Sequence, residues 1–476
     1  MLRATILARV RALGGQTDEV LTSPLPEAGA YLVRLHGREQ AERVAAGLRG
    51  DGGEKIRRAD PVGEGLLFIT PGVRAYEAAL SEVAEGAVAP LPENARRKVL
   101  LEFVSADPHG PLTLTHAREA VLGDALARLL TARGHTVRRE FYLNDAPNNA
   151  LRTFAHDAAG KDASPWAATV AARATVGSLP ELVSAARAIQ GETLEQLGIT
   201  FDGDASELAL RESGAVERTL TELVERGFAE TRGDSLWLRS STLGDDQDRV
   251  LKRGESATYL AGDLAYHRDK LQRGFNRLID LWDADHKGYI ARTHAGLSAL
   301  GSPPDALKVL VCGPVRCLKD GTEVRGGRYG SFVSLEEVLE ESSPNDLRWR
   351  LLRTAPDATL DLPLGAESPL TDIHNALALA RQTAQGATPT SAPLESVLEV
   401  PASAALLGHL LEWPRQVLDA TDTLEPHRLA LWAEALASKA MVAGALKHPR
   451  LAEATVRVLT RTLALAGLTE EAPHAS

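Results

Sequence analysis

The run Val99–Val104, apolar at every position except Glu102, constrains this chain more than any other segment. A strand apolar on both faces needs cover on both faces, the condition of a parallel sheet sandwiched between helices. A Gly/Pro loop follows. Ala117–Arg133 then places Val121, Ala125 and Leu129, flanked by Leu126 and Leu130, at helical spacing. Gly134 stands where a left-handed C-cap belongs, and Thr136–Tyr142 returns as a strand. Strand, helix and strand in this order form a βαβ unit, expected to be right-handed and parallel.

The same rhythm resumes with a strand over Arg277–Trp282, a helix near Tyr289–Leu300 and a strand over Leu307–Cys312. Between the two halves, residues 146–245 are more polar and mostly helical, which reads as an insertion. The first ninety residues read as a small appended module. Ile6–Leu13 and Gln40–Leu48 carry helical spacing, and Tyr31–Leu35 and Leu66–Ile69 read as strands. Gly50–Lys55 lacks both the hydroxyl after the lysine and the glycine spacing of a phosphate loop, so it reads as a turn. A linker over Gly386–Pro393 precedes an all-helical tail from Ala402 to Gly467, with Pro426 placed to start one helix and Pro449 to end another. The expected fold is therefore α/β. It comprises an N-terminal α/β module over 1–92, a Rossmann-like parallel-sheet domain over 93–368 and an all-α bundle over 369–476.

Charge and cysteine content narrow the function. With 53 basic and 64 acidic residues the net charge is −11, which excludes a wholesale cationic nucleic-acid glove but not a local basic path. No 18-residue apolar run exists, so no transmembrane helix is expected, and Met1–Thr5 does not open a signal peptide. Cys312 and Cys317 make neither a disulfide scaffold nor a four-cysteine zinc site, which points to a reducing cytoplasm.

Chemistry is expected at the carboxyl ends of the parallel strands. The loop Ser105–Thr115 runs straight into a helix, offering free N–H groups and a positive dipole end to a phosphate, with His116 in the first turn. Tyr259 and Asp263 lie one helical turn apart and can face one pocket. Asp263 also reads as an N-cap or surface acid. Residues 306–328 hold Lys308, Arg316, Lys319, Arg325 and Arg328 against Asp320 and Glu323, either a phosphate-gripping loop or a solvated basic hairpin.

Several collinear blocks carry a family resemblance: Glu102–Leu112, His116–Arg118, Gly123–Ala125, Tyr142–Ala146, Leu236–Arg239, Gly244–Leu251, Thr258–His267, Ala284–Tyr289 and Leu424–Ala430. From about residue 98 to the C-terminus the chain resembles arginyl-tRNA synthetases. The resemblance implies a Rossmann-like catalytic domain, a helical anticodon-binding-like domain and an arginine–tRNA ligase that works through an arginyl-adenylate. It implies ATP, with Mg2+ carried on the nucleotide and no protein metal site, and as partners arginine and tRNA(Arg), with a monomer expected. Catalytic roles fall on His116, Lys319 and Arg328. ATP contacts fall on Gly110, Pro111, Thr113, Thr115, His116, Asp285, His286, Arg325 and Arg328. Arginine contacts fall on Ser105, Asp107, Asn144, Asp145, Tyr259 and Asp263.

Three stretches depart from the family pattern. Thr113 and Thr115 stand where the first signature has His and Gly, and Asp107 stands where it has Asn. The second signature is one residue short, with glycines in place of Met and Ser and Tyr329 near a usual lysine. In Pro369–Ala378 the family's tyrosines and Gln, His and Arg are largely altered. These changes keep two alternatives open: a paralog that binds arginine, nucleotide or RNA without aminoacylation, or a transferase that activates arginine for another acceptor.

Overall fold

The computed structural model describes residues 2–17, 20–22, 30–49, 55–86, 88–175, 177–386 and 394–468. Residues 50–54 of the expected turn and 387–393 of the expected linker lie outside them. The chain divides into two compact units, one of residues 90–366 with 466–468, the other of 1–89 with 367–465 and 469–476.

In the first unit, five strands form one parallel sheet: β1 (Lys98–Glu102), β2 (Thr136–Leu143), β3 (Gly203–Ser206), β4 (Arg277–Asp283) and β5 (Leu307–Cys312). Their order is β3-β2-β1-β4-β5, so the chain winds one way from β1 and then the other. The direction reverses between β1 and β4, which makes the crevice at their carboxyl ends the place for a ligand. Val99, Leu100 and Leu101 are fully buried, as a strand covered on both faces requires. Helix α1 (Leu114–Ala132) joins β1 to β2 and ends before Gly134, which sits at φ +91°. Helices α2 (Tyr259–Gln272) and α3 (Ile290–Ala299) precede and follow β4.

The polar stretch 146–245 is helical over Asn149–Ala158, Pro165–Arg173 and Leu179–Gln196, and it then supplies the edge strand β3. Past a further pair of helices, residues 229–257 fold as a four-stranded antiparallel sheet. Beyond β5, strands β6 (Val315–Lys319) and β7 (Thr322–Glu323) form a hairpin. Strand β8 (Leu360–Pro363) pairs parallel with β6. Helices α4 (Leu335–Glu341) and α5 (Pro344–Leu352) lie between them. Buried Arg118 on α1 donates to the carbonyls of Gly313, Ala355 and Ala358, tying the first helix to the root of the hairpin.

The second unit pairs an N-terminal antiparallel sheet with a helical bundle. Its strands run in the order 20–22, 31–34, 66–71, 56–62, the first and last not anticipated from sequence. Helix Val73–Ala84 packs on helix Pro449–Leu465, where Arg450 Nη2 reaches Ser81 Oγ at 3.2 Å and Arg450 pairs with Glu77. Pro426 precedes helix His427–Ala440 as expected, but Pro449 begins a helix rather than ending one. A first-turn proline loses no helical hydrogen bond, so both positions suit it.

Candidate active site

At the end of β1 the backbone turns through two left-handed residues, Val104 at φ +76° and Ser105 at φ +43°. A β-branched residue in that region costs on the order of 1–3 kcal/mol and persists only where its surroundings dictate it. Here the Val104 amide bonds to the carboxyl of Glu119, a buried residue of α1. Burial pushes the Glu119 carboxyl well above the usual range, and the charge of Asp283 adds to this. The turn presents Ser105, whose hydroxyl donates to the Tyr142 carbonyl at 3.4 Å and whose carbonyl accepts from Asn144 Nδ2 at 3.4 Å.

From the helical stretch beyond β2, two buried side chains hold the loop that follows. Trp166 Nε1 donates to the Pro108 carbonyl at 3.0 Å. Gln190 Nε2 donates to the carbonyls of Asp107 at 2.9 Å and Gly110 at 3.0 Å. A Cβ added to Gly110 would meet nothing, so its backbone lies open, while Pro111 is buried and Asp107 exposed. The loop enters α1 through a capping box. Thr113 Oγ1 accepts from the His116 amide at 3.3 Å, and His116 Nδ1 accepts from the Thr113 amide at 3.1 Å. With Nδ1 an acceptor, the neutral ring carries its proton on Nε2. Burial lowers the His116 pKa, although Asp107 and Asp283 act against it. Thr115 is half-buried in the first turn of the same helix.

Under the carboxyl ends of β1 and β4 lies a buried ionic cluster. Lys270 of α2 bonds to Glu102, and to Asp280 at 3.0 and 3.3 Å; all three are buried. His267 bridges Asp280 Oδ2, at 2.6 Å, to the Asp263 carbonyl, at 2.7 Å. Burial pushes Glu102 up to about 7 against the pull of Lys270. Burial would raise Asp280 too, but Lys270 and His267 hold it down at about 2. Asp263 is half-buried, and burial pushes it up to about 6. Its carboxylate meets no hydrogen-bond donor among the described residues. Tyr259, one turn earlier, is 71% exposed. Asp145 is committed elsewhere, with Oδ2 accepting from Ser206 Oγ at 2.5 Å and Oδ1 from the Leu208 amide at 2.8 Å.

After β4, Asp283 caps the short turn Ala284–Tyr289. Its Oδ1 accepts from the amides of Asp285 at 2.9 Å and His286 at 3.2 Å, and pairs with His286 Nδ1 at 2.9 Å. This contact raises His286 and lowers Asp283. Asp283 acts electrostatically on His116 and Asp263 on His286, so the two loops and the head of α2 lie near one another. Sequence reading missed Asp283, Glu119, His267 and Lys270. Only Asp283 carried a signal, an Asp at a strand end ahead of a turn.

The hairpin cations do not join that crevice. Each is paired with an acid of its own region. Arg325 meets Glu323 at 2.9 Å, Lys319 meets Glu341 at 3.8 Å, and Arg328 Nη2 meets both oxygens of Glu340 at 2.8 and 2.9 Å. The Arg328 amide donates to Glu337 at 2.7 Å, and the Tyr329 hydroxyl to Glu336 at 2.8 Å. Tyr329 also stands edge-on to Trp166, ring centroids 5.8 Å apart.

No protein-family profile matches the chain. Among curated proteins it is 34% identical over 511 aligned positions to the arginine–tRNA ligase of Bordetella pertussis, covering 91% of this chain and 90% of that one. It is 35% identical over 390 positions to that of Moorella thermoacetica, covering 72% of this chain and 69% of the relative. Among solved structures, a putative arginyl-tRNA synthetase from Campylobacter jejuni superposes with a TM-score of 0.70 at 25% identity, over 83% of this chain and 98% of that one. The Thermus thermophilus arginyl-tRNA synthetase shares the fold over 99% and 100% of the two chains, with a TM-score of 0.79 at 21% identity. Sequence similarity across most of both chains, on a parallel sheet with the strand order described, places this chain in the arginine–tRNA ligase family of aminoacyl-tRNA synthetases.

Proposed function

We propose that the crevice activates arginine with ATP and passes it to tRNA(Arg), and that Asp263 takes the guanidinium of the amino acid. The observation that carries this reading is the Asp263 carboxylate, half-buried at the sheet's carboxyl edge with no hydrogen-bond donor on it among the described residues. A carboxylate in that setting suits a planar cation with paired N–H donors. Tyr259 offers its ring beside it, and Ser105 and Asn144 lie across the turn from β1.

On the ATP side, the open Gly110 backbone, the head of α1 and the His116 Nε2–H face the phosphates, with Asp285 and His286 toward the ribose. The arginine carboxylate oxygen attacks the α-phosphorus, and pyrophosphate leaves with the bonding electrons. The terminal tRNA hydroxyl then attacks the activated carbonyl, and AMP leaves. Positioning and positive charge around the phosphates supply the rate, with no covalent enzyme intermediate. Arg325, Arg328 and Lys319 contribute once the phosphates displace their acidic partners. Mg2+ would travel with the nucleotide. None of the described helices is long and apolar enough to cross a membrane. A cytoplasmic monomer is the form we infer.

The test is arginine-dependent ATP–pyrophosphate exchange with tRNA(Arg) present. Exchange by the unmodified chain supports the ligase. Its absence, alongside measurable arginine binding, would instead establish a non-catalytic paralog.

A further inference from the structure

Lys270 has no place in the chemistry just described, yet it is among the largest fully buried side chains of the protein. Its ammonium is shared between Glu102 of β1 and Asp280 of β4 and lies 4.3 Å from the centroid of the Tyr266 ring. The Tyr266 hydroxyl donates to Glu140 at 2.9 Å, and Glu140 is held in turn by Arg273 at 2.7 Å. Every donor position around Lys270 is thus spoken for. Three acids, Glu102, Asp280 and Asp263, crowd the ends of two adjacent strands and α2, and the ammonium engages the first two.

We propose that Lys270 is a positioning residue for arginine recognition. By holding Glu102 and Asp280 it leaves Asp263 as the carboxylate open to the guanidinium and keeps it ionised at neutral pH. The proposal rests on Asp263 being the guanidinium partner. The groups that face Asp263 are His267 and Lys270 on its own helix, Asp280 on β4, Glu207 on helix Glu207–Glu212, His286 after β4 and Tyr142 on β2. Those that face Lys270 are Glu102, Asp280 and, through Tyr266, Glu140. Removing a cation from this set makes Asp263 harder to ionise, and removing an anion makes it easier. An ion pair that served folding alone, its field too screened to reach Asp263, would weaken folding in both cases and leave the titration in place.

The experiment is calorimetric titration of arginine into the full chain between pH 5 and 8, with melting curves for each variant. In the unmodified protein the dissociation constant should rise as pH falls through an acid limb. Lys270→Met should move that limb up by about one pH unit, roughly a tenfold weaker Kd on the acid side. Lys270→Arg, which keeps the charge, should leave it in place. Asp280→Asn should move it down. Should Lys270→Met fail to fold, the downward shift in Asp280→Asn still supports the proposal. Limbs that coincide with that of the unmodified protein, or that move the same way in both variants, overturn it. Failure of the underlying reading looks different: Asp263→Asn would then bind arginine with unchanged affinity and an unchanged acid limb.

Discussion

Thr113 and His116 cap each other at the head of α1, each backbone amide donating to the other's side chain. The threonine that replaces a family histidine therefore has a local task, fixing the His116 ring in the orientation that the proposed phosphate contact needs. Thr113→Ala should cost about 1 kcal/mol of stability, the usual worth of an N-cap. It should also raise the KM for ATP more than that for arginine, because His116 loses its orientation. Thr113→His combined with Thr115→Gly restores the family residues but removes the cap and adds a glycine to the first turn. Melting should show a loss of about 1–2 kcal/mol. An increase in pyrophosphate exchange despite that loss would mean the imidazole and bare backbone are worth more here than the cap.

Arg328 and Glu340 make a second latch, across the hairpin loop and α4. Both ends are exposed, so the pair is screened by salt and weak. On the ATP role proposed for Arg328, a triphosphate has to take it from this partner. Glu340→Gln should therefore lower the KM for ATP about two- to fivefold at low ionic strength, the effect shrinking as salt rises. Steady-state kinetics at two salt concentrations check this. A higher KM in the variant would mean that the pair orients the loop for ATP.

Gly467 sits at φ +78°, and a Cβ there would lie 1.8 Å from Arg348 Nη2. Arg348 is buried, donates to the carbonyls of Leu197 at 2.6 Å and Ala466 at 3.0 Å, and pairs with Asp124 of α1. Displacing it strands a buried charge. Gly467→Ala should destabilise by about 2–4 kcal/mol. Gly198→Ala is the control: φ is +69°, but its Cβ would meet nothing, so about 1 kcal/mol is expected. Equal melting temperatures for the two variants would show that the contact with Arg348 is dispensable.

The sequence made the parallel sheet legible because a strand covered on both faces leaves an unbroken apolar run, as at Val99–Leu101. The edge strand Gly203–Ser206 left no such trace. It is short and polar, and only its register with β2 makes it a strand. Pro449 was misread because a proline that opens a helix and one that follows a helix look alike in sequence. His267 and Lys270 were missed for a related reason. On paper they are two of several polar residues of one helix, and only the fold shows that α2 turns them inward onto Asp280. At Tyr259 and Asp263 the spacing of four told only that both share one helix face; the structure leaves the tyrosine exposed and the carboxylate half-buried. Nothing in that spacing tells that Asp145 would be consumed by Ser206 and Leu208, or that Lys319 and Arg328 would face α4 while Arg325 pairs within its own hairpin.

Asp263 should carry opposite costs for folding and for binding. Its folded pKa of about 6 lies above the usual Asp value, chiefly because of burial. A raised carboxyl pKa contributes stability below the unfolded value near 4, and that contribution is lost as pH rises through about 6. Above that range the folded chain holds an ionised, half-buried carboxylate with no hydrogen-bond donor among the described residues. Asp263→Asn should therefore melt higher than the unmodified chain at pH 8 without arginine. With Asp263 as the proposed guanidinium partner, arginine needs the ionised form, so its affinity should fall about tenfold per pH unit on the acid side of that titration. The same substitution should weaken arginine binding at pH 8 by about 2–4 kcal/mol and flatten its pH dependence. Melting and calorimetry on one pair of proteins test both halves. A variant that melts lower at pH 8 would show that the carboxylate is already compensated in the free protein.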